Sequence, residues 1–274
     1  MKKTALTLIL ISACFALTGE VNKQVEEIGN AVLDKLDQAK KDIIDGYNDI
    51  SEKITENAKS QDSADKKNLD KDGWDLNLLD TARNVDYLSD LEKDIILEQN
   101  KARYDPAKYS ELYIKKRADN FIGNNYVSFK QLPVKTVEGP AAVTECYIQM
   151  QKMKSLPPLK PEKGLYLAAL EHVYTQGATK ETGHTGVNGE SPFDRIKKHG
   201  TYKQAAENIS YGFSNAREIV ISLLIDDNVP DRSHRKIIMN KNYNQTAVSF
   251  GSHKEYKNMA VILYCNGFKE NQNH

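Results

Sequence analysis

The sequence has neither an excess of one charge nor a long apolar run. Lysine plus arginine and aspartate plus glutamate both number 38 among 274 residues, so the formal net charge is zero. A nucleic-acid-binding protein normally shows a basic stripe, and none is visible, so we expect no nucleic-acid partner. A membrane-spanning helix needs about 20 consecutive apolar residues, and no such run occurs. The two absences together predict a water-soluble domain.

Cysteine is scarce, with three residues. Cys14 lies near the N-terminus, whereas Cys146 and Cys265 lie in the body of the chain. In an oxidising compartment the latter two could form a disulfide. The sequence does not show that they are close enough, so two buried free thiols are the alternative.

Two familiar catalytic signatures are missing. Ser222 and Ser233 occur in the second half of the chain, but neither belongs to a Gly-x-Ser-x-Gly nucleophile elbow. The chain also lacks the His-Glu-x-x-His helix of zinc proteases. The sequence therefore offers no obvious nucleophile.

The first residues are typical of a bacterial export signal. Lys2 and Lys3 precede a short apolar segment over residues 4–13. The segment 11–14 resembles a lipobox, which would make Cys14 the lipidated N-terminus; alternatively, a signal peptidase cuts later, by residue 19. We therefore predict an exported protein, either a lipoprotein of the bacterial cell envelope or a secreted protein. In the first case a lipid on Cys14 anchors it to the membrane.

Between Val25 and Ile54 apolar residues recur with an 11-residue period, which predicts one long amphipathic helix. One helix cannot bury such a narrow apolar stripe alone, so the stripe would pack against a partner helix, the main domain or a membrane surface. The favoured interpretation is a simple stalk that holds the domain away from its anchor. A polar stretch follows, and Trp74 is expected to help close the next domain. The predicted division is a signal over 1–19, a stalk over 20–58, a linker over 59–87, a domain over 88–268 and a polar tail over 269–274.

The sequence pattern of this domain predicts helices in its first part and strands near its end. This order is typical of an α+β layered fold. Ser191 and Pro192 form a helix start that Gly200 ends, and Asn215 caps another helix. Gly251 to Asn258 is predicted to form the turn of a terminal antiparallel hairpin.

Three polar segments interrupt the apolar pattern of this domain. The first presents His184 between glycines, and the second places Glu207 ahead of a short β-like run. The third, over residues 224–235, carries Asp226, Asp227 and His234 around a proline turn.

In order and spacing these segments resemble the CAP superfamily, especially bacterial SCP-like extracellular proteins. Gly183-His184, Glu207-Asn208-Ile209 and Ser233-His234-Arg235 carry the resemblance, which covers about residues 91–268. It implies a three-layer α-β-α sandwich and a cleft that gathers His184, Glu207, His234 and a second acid. The second acid is Asp226, with Asp227 as the fallback, because the helix lacks the family's glutamate.

Two imidazoles and two carboxylates can act in two ways. His184 and His234 can bind a divalent metal such as zinc, with the carboxylates orienting them. Alternatively, the four groups form a hydrogen-bonded cluster that titrates near neutral pH. The resemblance implies a non-enzymatic module for a lipid, a sterol, or an envelope or host protein. The segment from Leu132 to Pro140 is interpreted as an ordinary packed loop, and the border of a groove for such a ligand is the alternative. A metal-dependent hydrolase that uses the same cleft is the alternative.

Overall fold

The computed structural model describes residues 68–127 and 133–271, together with Gln38 and Lys41. The predicted export signal with Cys14 lies outside the described residues. Of the predicted stalk helix only Gln38 and Lys41 are described, and both are helical. Among the described residues, no helix has the length and apolar character needed to cross a membrane.

Helices dominate the first half of the described chain. They are α1 (Leu76–Leu79), α2 (Asp90–Tyr104), α3 (Pro106–Tyr109), a π-helical turn (Ser110–Ile114), a 3-10 turn (Lys115–Asp119), α4 (Pro140–Met150), α5 (Lys163–Gly177), α6 (Pro192–His199), α7 (Ala216–Ile225) and α8 (Ser233–Ile238). The strands are β1 (Phe121–Ile122), β2 (Asn125–Tyr126), β3 (Val134–Lys135), β4 (Lys160–Pro161), β5 (Gly200–Thr201), β6 (Gln204–Tyr211), β7 (Gln245–His253), β8 (Lys257–Asn266) and β9 (Lys269–Glu270).

A four-stranded sheet in the order β4-β7-β8-β6 forms the centre. β8 is antiparallel to both β6 and β7, whereas β4 is parallel to β7. The predicted terminal hairpin is confirmed, but its turn is shorter than Gly251 to Asn258. Gly251 pairs with Met259 and Ser252 with Asn258, so only residues 254–256 connect the strands. In this order β6 lies at one edge of the sheet.

Helices cover both faces of this sheet. Alternate residues of a strand point to opposite faces. Accordingly, Ile262 of β8 packs in one apolar core with α2, α4 and α7, whereas Leu263 packs in a second core with α5 and α6. The predicted α+β class and three-layer arrangement are therefore confirmed.

Local signals define the helices next to the candidate site. The Ser191 hydroxyl accepts the Asp194 amide and the Asp194 carboxylate accepts the Ser191 amide, which is a capping box for α6. Asn215 caps α7 by accepting the Glu218 amide. Both helix starts agree with the sequence prediction.

The folded core begins earlier than the predicted boundary at residue 88. Trp74, Leu79 and Leu88 are 2%, 0% and 3% exposed and belong to the core that contains α2 and α7. The Trp74 indole donates to the Tyr113 hydroxyl at 2.9 Å. Residues 74–87, which the predicted division placed in the linker, therefore carry part of the core, and the expectation that Trp74 helps to close the domain is confirmed.

The two cysteines in the described residues are free and buried. Cys146 lies in the core on one face of the sheet and Cys265 in the core on the other. Burial raises the pKa of Cys146 to about 12 and that of Cys265 to about 11. Of the two alternatives for these cysteines, the structure shows the buried free thiols.

Candidate functional site

His184 and Glu207 form the first half of the candidate site. His184 lies in the loop between α5 and α6, and its Nδ1 is 2.9 Å from Glu207 Oε1. The other carboxylate oxygen of Glu207 accepts from Arg195 Nη2 at 2.7 Å. Arg195 and Glu207 side chains are both 1% exposed, whereas that of His184 is 49% exposed. A buried ion pair therefore orients an accessible imidazole.

The sequence analysis placed Glu207 ahead of a short β-like run. In the structure Glu207 lies within β6. The strand predicted from the sequence is shorter than β6. The first three residues of β6, Gln204 to Ala206, are partly or fully exposed and therefore lack the apolar pattern of a buried strand. Glu207 is inward-facing in this strand, and its charge is compensated by Arg195.

Side chains of α5 and β6 hold the loop that carries His184. The Gly183 carbonyl accepts from Gln176 Nε2 at 2.9 Å and lies 2.9 Å from His172 Nε2. The Gly183 amide donates to the Tyr211 hydroxyl, which donates to Gln176 Oε1 at 2.7 Å. Gly183 has φ of 102°, a backbone angle that favours glycine. His172, Gln176 and Tyr211 belong to none of the motifs that the sequence analysis singles out, so their contacts with this loop are found only in the structure.

Asp226 and His234 form the second half. Asp226 ends α7 in the left-handed conformation, with φ of 59°. Its carboxylate accepts the His234 amide at 2.8 Å through Oδ2, and its Oδ1 lies 2.6 Å from His234 Nδ1. Asp226 is 3% exposed. One carboxylate therefore fixes both the start of α8 and the ring of His234.

Asp227, the fallback for the second acid, has a different environment. Its two carboxylate oxygens accept the amides of Val137 and Glu138, each at 2.8 Å. It thus holds the segment after β3, whereas the structure places Asp226 against His234.

The loop between Asp226 and His234 is strained and braced. Asp226, Asn228 and Arg232 all have positive φ, which costs about 1–3 kcal/mol for each residue without compensation. Arg232 makes two 2.6 Å hydrogen bonds to Glu138, and this partner lowers the pKa of Glu138 to about 2. The bracing keeps the Asp226 carboxylate in position for His234.

The two halves meet at the edge strand β6 and approach it from opposite faces. Glu207 contacts His184, and the next residue, Asn208, donates from Nδ2 to the His234 carbonyl at 3.1 Å. Consecutive strand residues point to opposite faces. The structure therefore shows two separate histidine–carboxylate pairs on either side of β6, and a single cleft that gathers all four residues stays a prediction. Within residues 68–127 and 133–271, no three His, Cys, Asp or Glu side chains form a group able to hold a metal.

A cavity of about 310 Å³ opens beside the second pair. Asp226 and His234 line it, and His184 and Glu207 do not. Most of the other lining side chains are apolar or aromatic, including Phe121, Tyr126, Ile209, Phe213, Leu223 and Val229. Val134, Thr136 and Gly139 also line it, in the segment for which the sequence analysis preferred a packed loop and kept a groove border as the alternative. The Leu132 end of that segment lies outside the described residues.

The chemistry available to the site follows from the free ring nitrogens. Both histidines contact a carboxylate through Nδ1, so Nε2 of each is the nitrogen left for a ligand, a proton or a metal. Ser222 also lines the cavity, but its hydroxyl donates to the Ile219 carbonyl at 2.8 Å. An activated serine needs a histidine or another base within hydrogen-bonding distance. The Ser222 hydroxyl has no histidine among its hydrogen-bond partners.

No curated protein matches the chain. Among solved structures it is similar to an outer surface protein of Borrelia burgdorferi, with 21% identity over 40% of this chain and 79% of that one, and a TM-score of 0.35. It is also similar to an extracellular SCP-domain protein of Bacillus anthracis, with 15% identity, 46% and 38% coverage and a TM-score of 0.32. A cysteine-rich secretory protein of Staphylococcus aureus has 24% identity, 51% and 43% coverage and a TM-score of 0.32. The match thus spans less than half of the latter two proteins.

The family comparison is more extensive. Residues 97–266 match the model of the cysteine-rich secretory protein family, CAP. The matched region runs from α2 to the end of β8, includes both histidine–carboxylate pairs and covers more than half of the chain. The chain belongs to the CAP family.

Proposed function

We propose that this protein is an exported, non-enzymatic binding module that takes a lipid or a sterol into the cavity beside His234. The cavity carries the proposal. Its volume of about 310 Å³ is at the lower end of the range for small-molecule sites, and its lining is mainly apolar. Such a lining stabilises an apolar body by removing its surface from water.

The polar wall of the cavity gives the ligand an orientation. Asp226 and His234 line the cavity together, and the His234 side chain is 25% exposed. Its Nε2 is available to a hydroxyl or carbonyl group because Nδ1 faces Asp226. A largely apolar molecule with one polar end, as in a sterol or a fatty acid, therefore suits the site better than a fully polar ligand. An envelope or host protein that inserts an apolar side chain is the other partner consistent with this lining.

A binding titration with a fluorescent sterol and a fluorescent fatty acid tests the proposal. Val134→Glu and Val229→Glu place a charge in the apolar lining, and we expect at least about tenfold weaker binding because an unpaired carboxylate is costly to bury. Val187→Glu is the matched control, since Val187 is 54% exposed and outside the lining. Equal binding by all three variants would rule out this cavity as the site.

We also propose that His184 and His234 can hold a divalent metal such as zinc. Their carboxylate contacts at Nδ1 are the kind that orient metal-binding imidazoles and leave Nε2 for the metal. The described residues supply no third side-chain ligand, so water would complete the shell and binding would be weak. Calorimetric titration with zinc should show binding that His184→Ala and His234→Ala each remove. Unchanged zinc binding in either variant would contradict a shared site.

A metal-dependent hydrolase is the second candidate function. The observation in its favour is the pairing of an accessible imidazole with a buried carboxylate, which suits a general base. Peptide or ester turnover that disappears in both His184→Ala and Glu207→Ala would support this candidate. Sterol binding that survives His184→Ala, without turnover of any substrate, would favour the binding module.

Export and anchoring are part of the same proposal and rest on the sequence. Metabolic labelling with a radioactive fatty acid should mark the protein, and Cys14→Ser should abolish the label. Secretion of an unlabelled chain would favour cleavage near residue 19.

A further inference from the structure

A second recess lies at the other end of α8 from His234. Its volume is about 410 Å³, and its lining contains Lys154, Lys236 and Lys241. Met153, Leu156 and Met239 supply the apolar part of the lining, and Asn240 completes it. No carboxylate lines the recess, and it shares no residue with the cavity beside His234.

The three lysines carry positive charge that the protein does not neutralise. All three are exposed. Within residues 68–127 and 133–271 none of them forms an ion pair, although many other lysines and arginines do. Three like charges around one recess repel each other, and an anion between them relieves that repulsion.

A buried arginine beneath the recess adds to this charge. Arg103 is 0% exposed and donates only to main-chain carbonyls: Pro157 at 3.2 Å, Ile238 at 2.6 Å, Asn240 at 3.0 Å and Tyr243 at 2.9 Å. Burial lowers the pKa of Arg103 to about 10, so the guanidinium stays charged at neutral pH. Because no carboxylate is among its partners, its charge is not neutralised at close range.

The same arginine fixes the shape of the recess. Its main-chain carbonyl accepts the Leu156 amide at 2.8 Å, while its side chain holds the carbonyl of Asn240. Leu156 and Asn240 lie on the two segments that line the recess. The recess is therefore held open by a buried side chain and does not depend on its exposed lysines.

The apolar lining decides between classes of anion. Met153, Leu156 and Met239 are partly exposed, and methionine side chains adapt readily to an apolar partner. A phosphate ion or an acidic peptide would satisfy the lysines and leave these side chains in water. A phospholipid carries an anionic headgroup next to acyl chains, which matches both parts of the lining.

We propose that this recess binds the headgroup of an anionic phospholipid and docks this end of the domain on an anionic membrane surface. Basic side chains near such a surface each favour binding, and the upper acyl chain contacts the two methionines. The site is separate from the cavity proposed for a lipid or sterol, and either can exist without the other.

Vesicle sedimentation of the full chain tests the proposal. The chain carries Cys14→Ser, so that no attached lipid contributes, and binding to phosphatidylcholine vesicles is compared with and without phosphatidylglycerol. Lys154→Gln, Lys236→Gln and Lys241→Gln together should weaken the phosphatidylglycerol-dependent binding on the order of a hundredfold, since each lysine contributes about fivefold. The matched control combines Lys116→Gln, Lys197→Gln and Lys254→Gln, three exposed lysines elsewhere that form no ion pair among the described residues.

A second variant separates the recess from general charge attraction. Met239→Gln keeps every charge, and we expect about fivefold weaker binding because an apolar contact with the acyl chain is lost. Circular dichroism checks that each variant is folded. Equal losses in the two lysine triples, or full binding by Met239→Gln, would overturn the proposal. Binding of polyglutamate or inorganic phosphate at the recess, without binding to vesicles, would overturn it as well.

Discussion

Arg195 and Glu207 are the residues on which the accessible His184 depends. Their side chains are both 1% exposed and are joined at 2.7 Å. Removing one partner from a buried ion pair leaves the other charged and without compensation, which costs about 3–5 kcal/mol. We expect Arg195→Met to lower the free energy of unfolding by about that amount.

Denaturant unfolding measures this loss, and Lys198→Met is the matched control. Lys198 pairs with Glu171 and Glu190 on the surface, where it is 43% exposed, so its replacement should cost less than about 1 kcal/mol. Similar losses for the two variants would show that Arg195 does not compensate a buried charge.

His172 gives the protein a pH-dependent stability. It is 0% exposed, and burial lowers the pKa of His172 below its ordinary value, with the Arg195 charge adding to the effect. The unfolded chain therefore binds this proton more readily than the folded one, so stability falls as pH falls below about 6.5. His172→Gln should lose less stability than the unchanged protein between about pH 7.5 and about pH 5.5.

Denaturation midpoints at the two pH values give this comparison. His199→Gln is the comparison: burial also lowers the pKa of His199, but its side chain is only partly buried, so we expect a smaller change in pH dependence than in His172→Gln. Parallel pH dependence in the unchanged protein and in His172→Gln would contradict the argument.

The sequence predicts the residues of the candidate site better than it predicts what holds them. The segments that carry His184, Glu207, Asp226 and His234 stand out because polar groups interrupt apolar patterns, and the resemblance to the CAP superfamily implies that these four residues form the site. Gln176 and His172 do not stand out, although their spacing of four places them on one face of α5. Their common partner is the Gly183 carbonyl, and a contact across a loop leaves no periodic signal in the sequence.

At the scale of elements, helix starts are encoded locally. Ser191 and Asp194 exchange hydrogen bonds at the start of α6, the helix that carries Arg195. Ser191→Ala removes the cap and should cost about 1 kcal/mol of stability. Ser155→Ala, at an exposed position outside any helix, is the control. Equal unfolding midpoints for the two variants would show that the cap contributes nothing to stability.

Strand ends are less visible in the sequence than helix caps. Gly251 and Ser252 look like turn residues but pair with Met259 and Asn258. Glu207 looks like the residue before a strand but is part of one, because Arg195 compensates it from another element. Both differences have the same physical cause: the partner that makes a polar or flexible residue acceptable in a strand is distant in the chain.

At the scale of the whole molecule, two cores on opposite faces of one sheet unite the fold. β8 contributes alternate residues to both, so a nearly continuous apolar strand is needed at the centre. The run from Met259 to Tyr264 predicts such a strand. The edge strand β6 then presents Glu207 to one helical layer and Asn208 to the other, which explains how the two histidine pairs come to flank one edge.

The N-terminal limit of the domain provides the last prediction. A chain that starts at residue 68 keeps Trp74 and Leu79 in the core, whereas one that starts at residue 88 loses both. Losing a buried tryptophan and a buried leucine costs roughly 5–10 kcal/mol, which is comparable to the whole stability of a typical domain. We expect the first chain to unfold cooperatively and the second to show no cooperative transition.

Lys101 also loses its 2.8 Å ion pair with Asp70 in the shorter chain, so the substitution Asp70→Asn in the longer one measures that smaller part separately. Cooperative unfolding of the chain from residue 88 would restore the boundary predicted from polarity, and failure of the chain from residue 68 to fold would contradict the view of the preceding segment as a simple stalk.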